Sequence, residues 1–207
     1  MLKIFFAVFF TIGQLLAQTI TYDSLEKVNV GIDGYILGKK LNKEQKDIAK
    51  KNLQKANVAK TYKFRDNNTY VVADSENDRV ILMYKPFNNI NNDDLKSIVS
   101  DLIATYEEPT TTTHNNIIYW FYKDNGSKVT LDEFIAFRDN TKIATKKVLT
   151  DLLKESEKKS SELGHVLTVK LSSTKPIFSK DRYLDGSAYL MISSEQLIKE
   201  NYNINRH

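Results

Sequence analysis

The chain has 207 residues, of which 41% are hydrophobic and 27% are charged, and this length allows one domain with a sizeable core. Its formal net charge is +4, but lysine is scattered and alternates with aspartate and glutamate. That pattern argues against a basic nucleic-acid-binding patch and favours an ordinary solvated surface. The absence of cysteine excludes disulfide bonds and a cysteine nucleophile, so packing and hydrogen bonds must hold the fold.

Residues 1–17 have the pattern of a secretory signal peptide. Lys3 gives a positive start, an apolar run follows over residues 4–16, and Ala17 is a small residue at the predicted cleavage site. The run is shorter than the roughly 20 apolar residues that span a bilayer, so we expect cleavage and no stable membrane insertion afterwards. The mature chain is then expected to begin at Gln18 and to work in the periplasm or the medium of a bacterium.

Residues 18–57 are predicted to hold a turn-rich lead-in and then a helix. Three glycines indicate turns in the lead-in: Gly31, Gly34 and Gly38. Asn42 and Gln45 have the spacing of a capping box, in which each side chain bonds the backbone of the other residue. The helix that they start is expected to end at about Asn57.

The next segment is predicted to be a three-stranded meander followed by an amphipathic helix. Short runs rich in β-branched and aromatic residues lie between Asn/Asp clusters, at 61–64, 70–73 and 80–84. Pro86 is expected to end the third strand, because proline lacks a backbone donor. Apolar residues at helical spacing then predict a helix that ends before Pro109: Leu95, Ile98, Val99, Leu102, Ile103 and Tyr106.

The second half is predicted to begin with the aromatic strand 117–122 and a tight Asn125-Gly126 turn. A return strand from Lys128 to Phe137, a short strand at 141–144 and a helix at 145–163 are expected to follow. Two further strands are predicted at 166–171 and 188–192, and Ser194 is expected to cap a short final helix.

Residues 61–107 and 116–163 therefore each fit three strands followed by one helix, a loosely repeated βββα unit. Hairpins and meanders of this kind form antiparallel sheets with helices packed on them, so the predicted fold class is α+β. We expect a single domain over residues 18–207, with possible sub-units at 18–109 and 110–207.

No catalytic or metal-binding constellation stands out, and neither a catalytic residue nor a metal or other cofactor is predicted. The three histidines lack the spacing of a zinc site, and no serine lies in a nucleophile elbow. When Glu133 is aligned with the bidentate position of an EF-hand calcium loop, the loop covers residues 122–133, and the back half of this segment resembles it. The front half does not fit, and a hairpin turn at Asn125-Gly126 explains the same residues more simply.

The aromatic strand is apolar on both faces. Alternation places Ile118, Trp120 and Tyr122 on one face, and the opposite face carries Ile117, Tyr119 and Phe121. Either both faces are covered or one is an exposed binding surface. The candidate partner-binding residues are Trp120 and Tyr122, with Tyr106 and His114 nearby. A Trp120→Ala substitution is then expected to weaken partner capture without unfolding the domain.

Export, abundant aromatic residues and the lack of a reactive constellation favour a non-enzymatic binding protein. We expect it to recognise a protein or a cell-envelope component through a sheet face, and not a nucleic acid. One alternative is a hydrolase of envelope polymers, in which separate strands bring two carboxylates together in a cleft. Another is a small-ligand carrier with a closed apolar cavity between sheet and helices.

Overall fold

The computed structural model describes residues 22–23, 25–56, 60–136, 165–177, 185–194 and 197–198. In this part of the chain, strands β1 and β2 form a hairpin, and eight strands form a larger antiparallel sheet in the order β3-β4-β5-β6-β10-β9-β8-β7. The strands are β1 Gly31–Ile32, β2 Tyr35–Ile36, β3 Leu53–Gln54, β4 Thr61–Asp66, β5 Thr69–Asp74, β6 Val80–Ile90, β7 Thr111–Thr113, β8 Ile117–Lys123, β9 His165–Ser173 and β10 Gly186–Ser193. The helices are α1 Lys43–Lys51 and α2 Asn92–Tyr106, with short helical segments at 25–28 and 131–136. The predicted α+β class is confirmed.

The first predicted βββα unit is present as the strands β4, β5 and β6 followed by α2. β6 is longer than predicted, because it continues through Pro86 to Ile90. The pairing of β5 with β6 stops at Tyr84, so at Pro86 only β10 is a neighbour. Proline lacks a backbone N–H donor, but on the side of β6 where β5 is no longer paired no sheet hydrogen bond is lost. The proline therefore does not end this strand.

The helix α1 begins as predicted and ends earlier. The Asn42–Gln45 capping box is complete, with both reciprocal hydrogen bonds formed. The helix ends at Lys51 and not near Asn57, because Leu53 and Gln54 pair with β4 as the short edge strand β3. Leu53 and Gln54 could continue the helix by local preference, but pairing with β4 places them in a strand.

The second predicted unit differs after its first strand. The turn at Gly126 forms, with the Gly126 amide donating to the Lys123 carbonyl over 3.0 Å. Lys128 makes a single bridge to Tyr122, and residues 131–136 are helical, not a return strand. Thr130 and Glu133 form a reciprocal capping pair, which starts a helix at this point. The strand predicted at 141–144 and the helix predicted at 145–163 lie outside the described residues.

The core lies between one face of the large sheet, α2 and the N-terminal segment. Four residues of α2 point into it: Leu95, Val99, Leu102 and Tyr106. The sheet contributes buried side chains at alternate positions, among them Phe64, Val71, Met83, Ile118, Trp120, Leu167, Val169, Leu171, Leu190 and Ile192. The alternation leaves the other face of the sheet half-exposed along most strands. No helix among the described residues is long and apolar enough to cross a bilayer.

The β1–β2 hairpin is fastened to the sheet through Asp33. Lys85 donates to both carboxylate oxygens of Asp33, at 2.9 and 2.8 Å, and the Thr69 hydroxyl donates to the same group. Burial acts to raise the pKa of the Asp33 carboxyl, but the Lys85 and Thr69 hydrogen bonds and the Lys85 charge outweigh it. The pKa of this carboxyl is therefore lowered from its ordinary value of 3.8.

We expect Asp33→Asn to reduce the free energy of unfolding at pH 7 by about 0.5–1 kcal/mol, a small value because the ion pair is partly exposed. A carboxyl whose pKa is lowered in the folded state stabilises the fold fully at pH values above its unfolded-state pKa. This stabilisation is lost as the pH falls through the folded-state pKa. Urea unfolding at pH 7 and at pH 2.5 should therefore show a smaller acid loss for the variant. Asparagine also tolerates the left-handed φ of 50° at this position. An equal acid loss in both proteins would contradict the role of Asp33.

Candidate functional site

Trp120 is part of the core and not of a surface. Its side chain is 0% exposed, and its ring packs edge-on against Tyr106 at a centroid distance of 6.0 Å. The indole Nε1–H donates to the Glu107 carbonyl over 2.8 Å, which satisfies its only polar group. A partner cannot reach this ring. Its full burial leads us to expect that Trp120→Ala destabilises the domain and does not merely weaken partner capture.

Tyr106 and Tyr122 line a surface cleft of about 430 Å³ between segment 28–31, the end of α2 and turn 126–128. The Tyr122 hydroxyl donates to the Tyr106 carbonyl at 3.3 Å, and the Tyr106 hydroxyl donates to the Gly31 carbonyl at 2.8 Å. Burial raises the pKa of both phenols to about 12, so both remain protonated donors at neutral pH. Lys128 pairs with the Glu107 carboxylate over 3.1 Å at the same cleft. These four side chains serve the fold by bonding to each other or to backbone.

His114 lies apart from the other three candidates. It is exposed in the turn between β7 and β8, with a left-handed φ of 53°. Tyr122 is close to the opposite end of β8. The structure thus brings Tyr106, Trp120 and Tyr122 together and separates His114 from them.

The three described carboxylates whose pKa is clearly shifted each pair with a lysine. A hydrogen bond from Lys46 is the largest cause of the lowered pKa of Asp78, and a hydrogen bond from Lys123 does the same for Glu133. Together with Asp33, these are the described carboxyl groups whose pKa is clearly shifted, and each is shifted toward the charged form. A general acid needs the opposite shift. The described residues contain no group of three or more His, Asp or Glu side chains that could hold a metal ion.

The face of the sheet that points away from α2 has a different composition. We call it the open face and define it by eleven residues: Lys63, Arg65, Tyr70, Val72, Leu82, Tyr84, Tyr119, Phe121, Lys170, Tyr189 and Met191. Six of them form one continuous cross-strand row through direct pairing, in the order Arg65, Tyr70, Tyr84, Met191, Lys170 and Tyr119. At about 4.8 Å between strands, the row spans roughly 24 Å.

Aromatic rings and cations contact each other along this row. Tyr70 and Tyr84 stack with centroids 4.5 Å apart and planes 5° from parallel. Lys63 Nζ lies 4.9 Å from the Tyr70 centroid, and the Arg65 guanidinium lies 5.3 Å from it. At the other end, Lys170 Nζ lies 5.6 Å from the Tyr119 centroid. Such cation–π contacts orient the cations over the rings without neutralising their charge.

Phe121 ties the helical segment 131–136 to the open face. Its ring stacks on Tyr119 at 5.4 Å and on Phe134 at 5.7 Å. Lys123, next on the same side of β8, pairs with Glu133 over 2.6 Å. The open face is thus covered at its β8 margin by this segment, while its centre carries Tyr189, a side chain 45% exposed.

The candidate residues Trp120 and Tyr122 lie on the side of β8 that faces the core, whereas Tyr119 and Phe121 lie on the open face. The open face also carries Lys63, Arg65 and Lys170, which are not among the candidate residues predicted from the sequence. The sequence does show tyrosine or lysine at alternate positions of separate strands. These residues can be recognised as one surface only when it is known which strands are neighbours. Comparison with protein-family models, curated proteins and solved structures finds no match for this chain.

Proposed function

We propose that the chain is an exported, non-enzymatic binding protein that recognises a protein or cell-envelope component through the open face of its sheet. The observation that supports this most is the row of aromatic and cationic side chains, with Met191 at its centre, across six strands. Tyrosine, methionine and arginine are the residues enriched at protein interfaces, and all three occur in this row. The signal-peptide pattern in residues 1–17 supports a site of action in the periplasm or the medium.

The geometry favours binding over the two alternatives. Hydrolysis through paired carboxylates requires one acid with a raised pKa, whereas Asp33, Asp78 and Glu133 have lowered pKa values. A small-ligand carrier requires an enclosed apolar cavity, and the Tyr106–Tyr122 cleft is a surface feature lined partly by backbone, Lys128 and Glu107. The open face combines aromatic, apolar and cationic side chains along a row of roughly 24 Å, which suits contact with a macromolecule.

Site-specific photo-cross-linking in cells tests this function. A photoreactive amino acid at Tyr189 should give a discrete adduct in the periplasmic or medium fraction, on a chain that has lost residues 1–17. The matched control is Leu53, a similarly exposed hydrophobic residue at the edge strand β3 (58% against 45%). We expect no adduct at Leu53, because it lies outside the open face. Equal cross-linking at both positions, or none at Tyr189, would refute the proposal.

A further inference from the structure

Four of the five aromatic rings of the open face already contact other rings or cations and do not offer free platforms for stacking. Tyr70, Tyr84, Tyr119 and Phe121 each make at least two contacts to another ring or to a cation. Tyr70 and Tyr84 are cross-strand neighbours with nearly parallel rings at about the strand spacing, so they stand upright on the sheet. What they present outward is ring edges, which carry partial positive charge, and hydroxyl groups. Nucleobases and sugar rings, which stack on open ring faces, gain little from these four rings.

The cations of the open face lie at two flanks. Lys63 and Arg65 are on β4 and Lys170 is on β9, four strand spacings apart, or roughly 19 Å. Among the described residues, none of these three cations is in an ion pair with a carboxylate. Alternation would add Asp74 to the same face, but its carboxylate is buried and accepts hydrogen bonds from Tyr22 and the 75–77 turn. The open face is therefore positive and matches an acidic surface.

The centre of the open face is apolar. Val72, Leu82, Met191 and Tyr189 lie between the two cationic flanks. A uniformly charged polyanion would leave this apolar area unused and would place charge over it. A second copy of the chain, docked through the same face, would place like charges opposite each other, which is unfavourable.

We propose that the open face binds an acidic polypeptide segment with apolar residues at its centre and carboxylates at both ends. This assignment rests on the proposed function and adds the chemistry of the partner. Carboxylates about 19 Å apart match the separation of the cationic flanks, which corresponds to about 13 residues of α-helix at 1.5 Å per residue. Tyr189, exposed at the centre, is the anchor that contacts the apolar part of the partner.

A fluorescent designed peptide tests the assignment by anisotropy titration against the full chain. The probe is a helical peptide with leucine and methionine along one face and two glutamate clusters about 13 residues apart. Polyglutamate of equal length is the comparison for charge alone. We expect the peptide to bind in a salt-sensitive manner and polyglutamate to bind at least tenfold more weakly. Equal binding of the two would overturn the assignment in favour of a general polyanion site.

Three variants locate the binding. Lys63→Glu with Lys170→Glu should weaken peptide binding at least tenfold and remove most of its salt dependence. Lys63→Met with Lys170→Met keeps the apolar stems of both side chains and should weaken peptide binding less than the charge reversal does. This variant provides the test if charge reversal disturbs folding. Lys50→Glu, at an exposed lysine of α1, should change nothing. Equal effects of Lys50→Glu and the double reversal would refute the site.

The two proposals fail in different ways. If the peptide does not bind but a cross-link at Tyr189 forms in cells, the acidic-partner assignment is wrong and the binding face remains. If neither the peptide nor a cross-linked partner is captured at Tyr189, both are wrong.

Discussion

Replacing Trp120 with alanine is expected to lower the free energy of unfolding by about 3–5 kcal/mol, the cost of removing a large aromatic side chain from a packed core. The side chain is fully buried against Tyr106, and the indole N–H is the donor to the Glu107 carbonyl. Since domains are stable by only about 5–15 kcal/mol, a large part of the stability would disappear. Chemical denaturation followed by circular dichroism measures the change.

Two further substitutions, one at Trp120 and one at Tyr119, separate the causes of this loss of stability. Trp120→Phe keeps a six-membered aromatic ring but removes the donor to Glu107 and leaves a small cavity, and should cost about 2–3 kcal/mol. Tyr119→Ala changes the adjacent residue on the open face, where the ring is half-exposed, and should cost about 1 kcal/mol. If Tyr119→Ala destabilised the chain as much as Trp120→Ala, the assignment of the two faces of β8 would be wrong.

Gly31→Ala is expected to destabilise the chain by about 3 kcal/mol, at the upper end of overpacking costs. A Cβ atom at Gly31 would lie 1.8 Å from the Tyr35 carbonyl oxygen and 2.9 Å from the Ile36 Cα. Both atoms are backbone of β2, so a side-chain rotation cannot relieve the clash and the β1–β2 hairpin must move. The hairpin also carries Asp33 and the carbonyl that accepts from Tyr106.

Gly34 is the matched control, because the same substitution there has a different cost. A Cβ at Gly34 meets nothing within 4 Å, but its φ of +84° disfavours side chains by about 1–2 kcal/mol. Asparagine tolerates this region, so Gly34→Asn should be milder than Gly34→Ala, whereas Gly31→Asn should be no milder than Gly31→Ala. Urea midpoints of the four variants provide the test. A Gly31→Ala midpoint at or above that of Gly34→Ala would contradict the close approach of β1 and β2.

Elements whose signals are local could be predicted from the sequence. α2 has an apolar stripe of period 3.6 and is capped by Asn91 and Asp94, and it lies where expected. The meander β4–β6 has turn residues between β-branched runs, and β9 and β10 also lie where predicted. These signals act between residues a few positions apart, so they do not depend on the rest of the fold.

The errors arose where a longer-range interaction changed the outcome or a local one was overlooked. Residues 53–54 pair with β4 and so do not belong to the helix. β6 continues through Pro86 because the pairing of β5 with β6 ends at Tyr84. The helical segment 131–136 had a readable signal in the Thr130–Glu133 capping pair, which the aromatic and β-branched residues nearby obscured. A capping pair fixes a helix start more directly than residue preference fixes a strand.

The chain's residue order alone was enough to establish the α+β class, the meander and the apolar character of both sides of β8. It could not establish which side is buried, because Ile118, Trp120 and Tyr122 differ little in apolar character from Ile117, Tyr119 and Phe121. Tertiary packing of α2 against one side decided this, and the pairing of β10 between β6 and β9 assembled the row from Arg65 to Tyr119. Burial and strand order depend on residues that are distant in the chain, so local sequence patterns do not predict them.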